Sequence, residues 1–389
     1  MVEDFSTELD RWSWREVGEA ILGKTSAEVK TALSREGSLG LDDFMALLSP
    51  AASPFLEEMA AASRQRTRRR FGNVIQMFAP LYLSNECTNV CDYCGFSLTN
   101  RIPRKTLSPT EILQEAEIIK GMGYDHVLLV SGEAQSIVGP AYFRDALSIL
   151  RPHFSNVSME VQPLDQAHYE DMIGLGLHAV LVYQETYHRE TYARHHTKGR
   201  KRNFDYRLAT PERLGRAGIN KIGLGCLLGL AEWRTDLFFL ALHLRFLEKR
   251  YWRTRYSVSF PRLRPFEGEG QFPIEEIVDR DLVQAICAFR LLDPELELSL
   301  STRESPRFRD HAARLGITSM SAGSKTNPGG YANGSDELEQ FEIDDSRAPA
   351  EIERMLHSGG YEAVWKDWDP AYDQANATSN EPATSLLTC

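Results

Sequence analysis

The chain has 389 residues, of which 42% are hydrophobic, so it can bury a sizeable core. Its formal net charge of −11 argues against nucleic acid or an anionic membrane surface as the main partner. Because it has neither an apolar run of about 18 residues nor an N-terminal signal sequence, we expect a cytoplasmic protein. In that compartment, its six cysteines favour metal binding or chemistry over disulfides.

Residues 1–75 are predicted to form a helical extension. Segments such as TSAEVKTAL contain good helix formers, and no alternating strand pattern appears. The arginine-rich run at 64–70 is interpreted as a solvated helix end, because the protein as a whole is acidic.

Over residues 76–324, short apolar or alternating runs are each followed by a helix-like segment. Eight such units predict a (β/α)8 barrel of the TIM type, with a doubly wound open sheet as the alternative. A barrel would bring the residues that follow its strands together at one mouth. The predicted strands are 81–84, 126–131, 157–162, 179–184, 221–227, 256–260, 296–301 and 317–323. After the barrel, 325–369 is predicted to form a cap and 370–389 a disordered tail.

Three cysteines follow the first predicted strand: Cys87, Cys91 and Cys94. A structural zinc site normally takes four protein ligands, and no histidine lies close in sequence. Cys226 and Cys287 are distant and lie in apolar elements, where a buried core cysteine is the usual interpretation. Three thiolates on a 4Fe–4S cluster leave one iron open to a small molecule. The loop therefore predicts a reactive 4Fe–4S cluster, with zinc as the alternative.

The C-x3-C-x2-C spacing, with Tyr93 before the last cysteine, resembles the signature of the radical S-adenosylmethionine (SAM) superfamily. The resemblance implies that the amino and carboxylate groups of SAM chelate the open iron. The reduced cluster would then pass one electron to the sulfonium, which leaves methionine and a 5′-deoxyadenosyl radical. Tyr93 would lie on the cofactor side of the loop.

Polar residues follow the next predicted strands. The segment 131–133 resembles the Gly-Gly-Glu element that holds the amino group of SAM, with serine in place of the first glycine. Near the end of the third strand, Glu160 could bind the SAM ribose or pair with an arginine, and both alternatives stay open. Two further candidates follow the fourth strand. The predicted cofactor residues are thus Tyr93, Ser131, Gly132, Glu133, Glu160, Gln184 and Glu185.

Candidate substrate residues follow the seventh and eighth strands. Arg303 presents a planar fork that matches a carboxylate, although a structural salt bridge is the ordinary alternative. Ser321 could orient an amino group, with Ser319 and Ser324 close by. Tyr82, on the first strand, is either a core tyrosine or a hydroxyl pointing into the cavity.

Longer blocks, from about residue 10 to 369, resemble the tyrosine lyases of thiamine thiazole biosynthesis, the 2-iminoacetate synthases. These blocks include YQETYH, YSVSFPRLRP, LELSLSTRES and SKTNPGGY. The family cleaves the Cα–Cβ bond of L-tyrosine to 2-iminoacetate and p-cresol, with 5′-deoxyadenosine and methionine as co-products. By this resemblance Arg303 would hold the tyrosine carboxylate, and Tyr82 and Ser321 would flank its amino group.

The resemblance also implies two protein partners, thiazole synthase and a flavodoxin- or ferredoxin-type reductant. Residues from about 258 to 369 would form a region associated with biotin and thiamine synthesis. A related lyase acting on tryptophan is the alternative, because it shares the carboxylate clamp. A hydrogenase-maturation relative needs a C-terminal C-x2-C pair, whereas only Cys389 follows Cys287 here. A non-catalytic iron–sulfur or zinc scaffold is the alternative from another class.

Overall fold

The computed structural model describes residues 4–35, 37, 39–265, 275–334 and 339–366. The predicted tail at 370–389, including Cys389, lies outside these ranges. The strands are β1 (Val74–Ser84), β2 (Val90–Cys91), β3 (His126–Ser131), β4 (Asn156–Glu160), β5 (Leu177–Leu181), β6 (His196–Lys198), β7 (Lys221–Gly225), β8 (Arg255–Ser259), β9 (Glu297–Leu300), β10 (Ser319–Ser321) and β11 (Glu362–Val364).

The helices before and between the first barrel strands are α1 (Phe5–Leu9), α2 (Trp14–Leu22), α3 (Ser26–Ser34), α4 (Leu41–Leu48), α5 (Leu56–Phe71), α6 (Pro109–Gly121), α7 (Pro140–Leu150) and α8 (Gln166–Gly174). Those that follow are α9 (Arg189–His195), α10 (Phe204–Leu208), α11 (Thr210–Ala217), α12 (Trp233–Arg250), α13 (Asp279–Leu292), α14 (Pro306–Ala312), α15 (Gly330–Asn333) and α16 (Pro349–Ser358). Short 3-10 turns cover Pro50–Phe55 and Arg200–Arg202.

Eight parallel strands close into a barrel in the order β1-β3-β4-β5-β7-β8-β9-β10. Closure comes from β10, which pairs in parallel with β1 from Gln76↔Ser319 to Phe78↔Ser321. Each barrel strand overlaps one of the eight predicted runs, so the (β/α)8 prediction is confirmed and the open-sheet alternative is wrong. The remaining strand of this sheet, β11, pairs with the first residues of β1 from Val74↔Glu362.

The N-terminal helices pack on the outside of the barrel, against α12 and α13. In α1, the Phe5 ring stacks on His243 of α12 with centroids 3.8 Å apart. The arginine-rich end of α5 leads directly into the start of β1, at the end of the barrel away from the mouth. In the described ranges, no helix is both long and apolar enough to cross a membrane.

The chain after β10 first crosses the mouth and then returns along the outside. Near the mouth, the Gly323 N–H donates to the Arg347 carbonyl at 3.1 Å. At the other end, the Glu362 N–H donates to the Asn73 carbonyl at 2.8 Å. Helix α16 lies between these contacts and therefore takes the place of the eighth barrel helix. The division into extension, barrel and cap stays a prediction.

Candidate active site

A cavity lies at the carboxyl ends of the barrel strands. Alternate residues of a strand point to the same side, so Phe78, Pro80 and Tyr82 of β1 all face this space. Two strands away around the barrel, Ser299 of β9 and Ser301 just after it do the same. The cavity lining includes seven of the predicted site residues: Tyr82, Tyr93, Cys94, Glu160, Glu185, Arg303 and Ser321.

The cysteine loop forms one edge of this cavity. Cys94 lines it, while Cys91 is buried in the short strand β2. The loop turns at Gly95, where an added Cβ would lie 2.6 Å from the Gln340 carbonyl oxygen. Glycine there lets the loop pack directly against the segment that crosses the mouth, and the Gly95 N–H donates to that same carbonyl at 3.0 Å.

The three loop thiols fit a cluster better than a single ion. All the described cysteines are free. Among the described residues, no group of three or more His, Cys, Asp or Glu side chains could hold one metal ion. Three thiolates of a 4Fe–4S cluster bind different irons, so they need not converge on one point. Burial raises the pKa of Cys87 to about 11 and holds that of Cys91 well above its ordinary value. Metal binding would replace the proton that burial retains on each thiol.

The segment 131–133 lies against this loop. An added Cβ on Gly132 would collide with the Glu86 carbonyl oxygen, so only glycine allows this approach. Glu133 accepts from Arg207 Nη1 at 2.9 Å and from Asn89 Nδ2 at 2.8 Å. Burial raises the pKa of Glu133, but Arg207 and other cations outweigh it, so the net pKa is lowered. The structure thus places a fixed carboxylate beside the cysteines, and its role towards SAM stays a prediction.

Glu185 combines backbone strain with a buried ion pair. Its φ of 71° is the only positive value of a non-glycine residue in the described ranges. Such strain is costly and concentrates at functional positions. Its carboxylate accepts from Lys201 Nζ at 2.7 Å and lies 3.5 Å from Arg207. The Lys201 ammonium also lies 5.6 Å from the Tyr93 ring centroid, so these charges connect the strand end to the cysteine loop.

Four buried polar atoms just after barrel strands have no hydrogen-bond partner within the described residues. A buried, unsatisfied polar group costs about 1–3 kcal/mol, so each of these atoms is suited to receive a ligand. They lie at the end of β3 and just after β4, β5 and β10, on one side of the barrel end. The atoms are Ser131 Oγ, Gln162 Oε1, Gln184 Nε2 and Ser324 Oγ. Ser324 belongs to the lining of the mouth cavity, whereas Gln162 lines a neighbouring cavity beside Glu133.

Arg303 lines the cavity with its guanidinium stacked 3.3 Å from the Phe341 ring centroid. The adjacent Glu304 is paired elsewhere, with Arg262 and Arg264 of the β8 loop. No described carboxylate lies within ion-pair distance of Arg303, so its fork is available to a ligand. Burial lowers the pKa of Arg303, and Tyr82 and Glu160 oppose that shift.

Glu160 faces Arg303 across the cavity without a direct ion pair. Burial raises the pKa of Glu160 to about 7, and the positive charge of Arg303 limits this rise. The carboxyl therefore exchanges its proton near neutral pH. Both sequence interpretations of Glu160, ribose binding and pairing with an arginine, remain predictions.

Comparison with known proteins identifies the family. Residues 81–238 match the family model of the Radical SAM superfamily, and residues 259–362 match that of the Biotin and Thiamin Synthesis associated domain. The 2-iminoacetate synthase of Escherichia coli (strain K12) is 54% identical over 371 residues, which cover 94% of this chain and 98% of that protein. The chain belongs to the 2-iminoacetate synthase family.

A second relative supports this membership, and a solved structure is similar to the fold. The 2-iminoacetate synthase of Salmonella typhimurium (strain LT2) is 53% identical over 95% of this chain and 98% of its own length. Among solved structures, the FeFe-hydrogenase maturase HydG superposes with a TM-score of 0.85 at 29% identity, covering 94% of this chain and 84% of that one. As a member of the radical SAM superfamily, the chain uses a 4Fe–4S cluster and SAM.

Sequence reasoning missed one bridge in this 2-iminoacetate synthase family member. The Tyr82 hydroxyl donates to Gln340 Oε1 at 2.8 Å, and Gln340 Nε2 lies 3.7 Å from Cys94 Sγ. Gln340 therefore joins a predicted substrate residue to a predicted cluster ligand. The only sequence signal was its place in the predicted cap, because nothing local marks a single glutamine as functional.

Other missed residues are Lys201, Arg207 and Phe341, all of which contact predicted site residues.

The structure distinguishes the serines of the eighth strand by the cavity that each one lines. Ser321 and Ser324 line the mouth cavity, whereas Ser319 lines a smaller cavity deeper in the barrel. Ser324 Oγ is buried without a partner in the described ranges, so it joins Ser321 as a candidate for contact with a substrate.

Proposed function

We propose that this chain is a radical SAM carbon–carbon lyase that cleaves the Cα–Cβ bond of L-tyrosine to 2-iminoacetate and p-cresol. The observation that carries this proposal is the cavity shared by the cysteine loop and the available fork of Arg303. Sequence identity of 54% to a 2-iminoacetate synthase over nearly the whole chain supports the same reaction. When bound, the cluster and SAM supply the one-electron chemistry that removes a hydrogen atom from the substrate, with 5′-deoxyadenosine and methionine as co-products.

Cys87, Cys91 and Cys94 would hold three irons of the cluster. SAM would lie between this loop and the strand ends that carry the partnerless polar atoms. Its amino group would contact the 131–133 segment. The remaining predicted cofactor residues, Tyr93, Glu160, Gln184 and Glu185, would contact or position the rest of the molecule.

The substrate would bind on the other side of the cavity. Arg303 would hold the carboxylate through two parallel hydrogen bonds, with its guanidinium plane set by Phe341. Tyr82 and Ser321 would flank the amino group, and Ser324 lines the same cavity. The segment that crosses the mouth, including Gln340, would exclude water from the reacting atoms.

The proposed reaction requires two protein partners, one that receives the imine product and one that supplies the electron. An imine of glycine hydrolyses readily in water, so we propose direct transfer to thiazole synthase in the synthesis of the thiamine thiazole. A flavodoxin- or ferredoxin-type protein would supply the electron. Both partners and a cytoplasmic location belong to the proposal. So does the assignment of 1–75 as an extension and of 325–369 as a cap.

The test is an anaerobic turnover assay with reconstituted, reduced protein and SAM, given tyrosine or tryptophan in parallel. We expect 5′-deoxyadenosine with p-cresol from tyrosine, and no corresponding cleavage of tryptophan. Cleavage of tryptophan alone would overturn the substrate and keep the radical SAM class. A sample with a verified 4Fe–4S cluster that makes no 5′-deoxyadenosine would overturn the proposed reaction itself.

A further inference from the structure

The outer side of the cysteine loop is covered by a short basic segment. Strand β6 pairs antiparallel with β2, in the register Val90↔Lys198 and Cys91↔His196. The chain then continues into the 3-10 turn Arg200–Arg202. The backbone N–H of Lys201 donates to Asn89 Oδ1 at 3.0 Å, which holds the turn against the loop. The segment 198–202 thus lies directly beside a predicted cluster ligand.

The cations of this segment divide into two kinds. Lys201 points inward and pairs with Glu185 at 2.7 Å. Lys198, Arg200 and Arg202 are exposed, and none has an ion pair within the described residues. The chain has a net charge of −11, so these three neighbouring unpaired cations form a positively charged patch on an otherwise acidic protein.

The acidic side chains around the segment are already engaged. Asp92 accepts from His195 Nδ1 at 2.8 Å, and Asp205 pairs with Arg189 at 2.8 Å. Glu133 pairs with Arg207, as described above. None of these carboxylates forms an ion pair with Lys198, Arg200 or Arg202.

An apolar side chain completes the surface. Leu98 is 41% exposed, and its N–H donates to the Asn89 carbonyl at 2.8 Å. Asn89 also holds the basic turn, so Leu98 and the turn flank the same residue. Arg101 is exposed three residues further on. We call the surface formed by Leu98, Arg101, Lys198, Arg200 and Arg202 the basic rim.

We propose that the basic rim docks the acidic face of a small one-electron carrier protein and places its redox group against the outer side of the cysteine loop. This proposal rests on the proposed function, since it requires a cluster that accepts an electron. In the step itself the carrier loses one electron and the cluster gains it, with no bond made or broken. Charge complementarity speeds encounter, and small interfaces are typical of transient redox complexes. A second copy of this chain would bring two basic rims together and is disfavoured by repulsion.

The test compares two triple variants with the same loss of charge. The first is Lys198→Gln with Arg200→Gln and Arg202→Gln. The matched control is Arg64→Gln with Arg68→Gln and Arg69→Gln, exposed residues of α5 at the opposite end of the barrel. Reduced flavodoxin is mixed with reconstituted protein, and the loss of the cluster's visible absorbance gives the reduction rate. Dithionite, a small-molecule reductant, replaces flavodoxin in a parallel series.

We expect reduction by flavodoxin to slow about tenfold or more in the first variant and to lose its dependence on salt. Reduction by dithionite should be unchanged, and the control variant should match the parent protein with both reductants. Parent-like reduction of the first variant by flavodoxin would overturn the docking proposal. So would loss of thiazole synthase binding with intact reduction, because the rim would then serve that partner. A cluster that is reduced but yields no 5′-deoxyadenosine would contradict the proposed function and leave the docking result valid.

Discussion

The two ends of the barrel interior differ in whether their polar groups have partners within the protein. At the end away from the mouth, Lys221 pairs with Glu297 at 2.9 Å, and His126 Nε2 bonds to Ser158 Oγ at 2.9 Å. At the mouth, Arg303 has no ion pair and Ser324 Oγ has no partner within the described residues. Polar groups that the protein satisfies itself stabilise the barrel, whereas groups left without partners are suited to a ligand.

One polar atom at the end away from the mouth also lacks a partner. This atom is His126 Nδ1, which forms no hydrogen bond within the described residues. Burial holds its pKa well below the ordinary value, with Lys221 acting in the same direction, so the ring is neutral. A neutral unsatisfied nitrogen costs far less than a partly buried charge without a counter-ion, such as Arg303.

The largest effect should come from the cysteine loop at the mouth. Cys91→Ala is expected to abolish SAM cleavage, because the loop has no fourth thiol to replace the lost ligand. Iron content, visible absorbance and 5′-deoxyadenosine would be measured. Cys287→Ala, a buried free cysteine in α13, is the matched control and should retain all three signals. Normal turnover by the Cys91 variant would remove the cluster assignment.

Removing the ion pair at the end of the barrel away from the mouth should lower the stability of the protein and leave its activity unchanged. Lys221→Met leaves Glu297 buried with only Arg255 as a cation partner, so we expect a loss of about 3 kcal/mol in unfolding free energy. Urea unfolding would measure it. Below the unfolding transition, SAM cleavage should continue at the parent rate. An unchanged midpoint would mean that this pair contributes nothing to stability.

At the mouth, a change to Arg303, the proposed clamp for the substrate carboxylate, should affect substrate use and leave stability unchanged. Arg303→Lys should keep the cluster and the stability of the protein, but lower kcat/KM for tyrosine about thirtyfold, or ~2 kcal/mol. The main change should be in KM, since a point charge replaces a bidentate contact. Arg255→Lys, at the end of the barrel away from the mouth, is the control and should leave KM unaltered. A parent-like KM in the Arg303 variant would disprove the clamp.

A smaller effect is expected from the Gln340 bridge. Gln340→Leu frees the Tyr82 hydroxyl and removes the donor beside Cys94, so kcat/KM should fall about fivefold, or ~1 kcal/mol. The reduction potential of the cluster should also fall, because hydrogen bonds to sulfur raise it. Tyr82→Phe and the double variant complete a mutant cycle. Strictly additive losses would show that the two side chains do not act together.

The smallest effect concerns pH. Burial raises the pKa of Glu160 to about 7, so the carboxyl is mostly protonated at pH 6 and mostly ionised at pH 8. An ionised carboxylate is the stronger acceptor for ribose hydroxyls, so the SAM Kd should fall roughly threefold over this interval. Equilibrium binding at several pH values would show it, and Glu160→Gln should flatten the profile. Persistence of the same profile in that variant would assign the titration to another group.

Many residues at the mouth could be predicted from the sequence because the patterns that mark them lie within short segments. The cysteine spacing spans eight residues, and each strand shows its own alternation. The residues that sequence reasoning missed act through distant partners. Arg207 meets Glu133 across 74 positions, and Gln340 meets Tyr82 across 258. No pattern within a single segment records such a contact.

The amino-acid sequence by itself determined the barrel class, the cysteine loop and the order of polar residues after the strands. Periodicity and spacing suffice for these, since backbone geometry converts them directly into faces and loops. Only the tertiary structure decided which charges pair and which remain for a ligand. Barrel closure brings Glu304 to Arg262 and leaves Arg303 against Phe341. That choice depends on distance and burial in the folded chain, which is why two neighbouring charged residues have different partners.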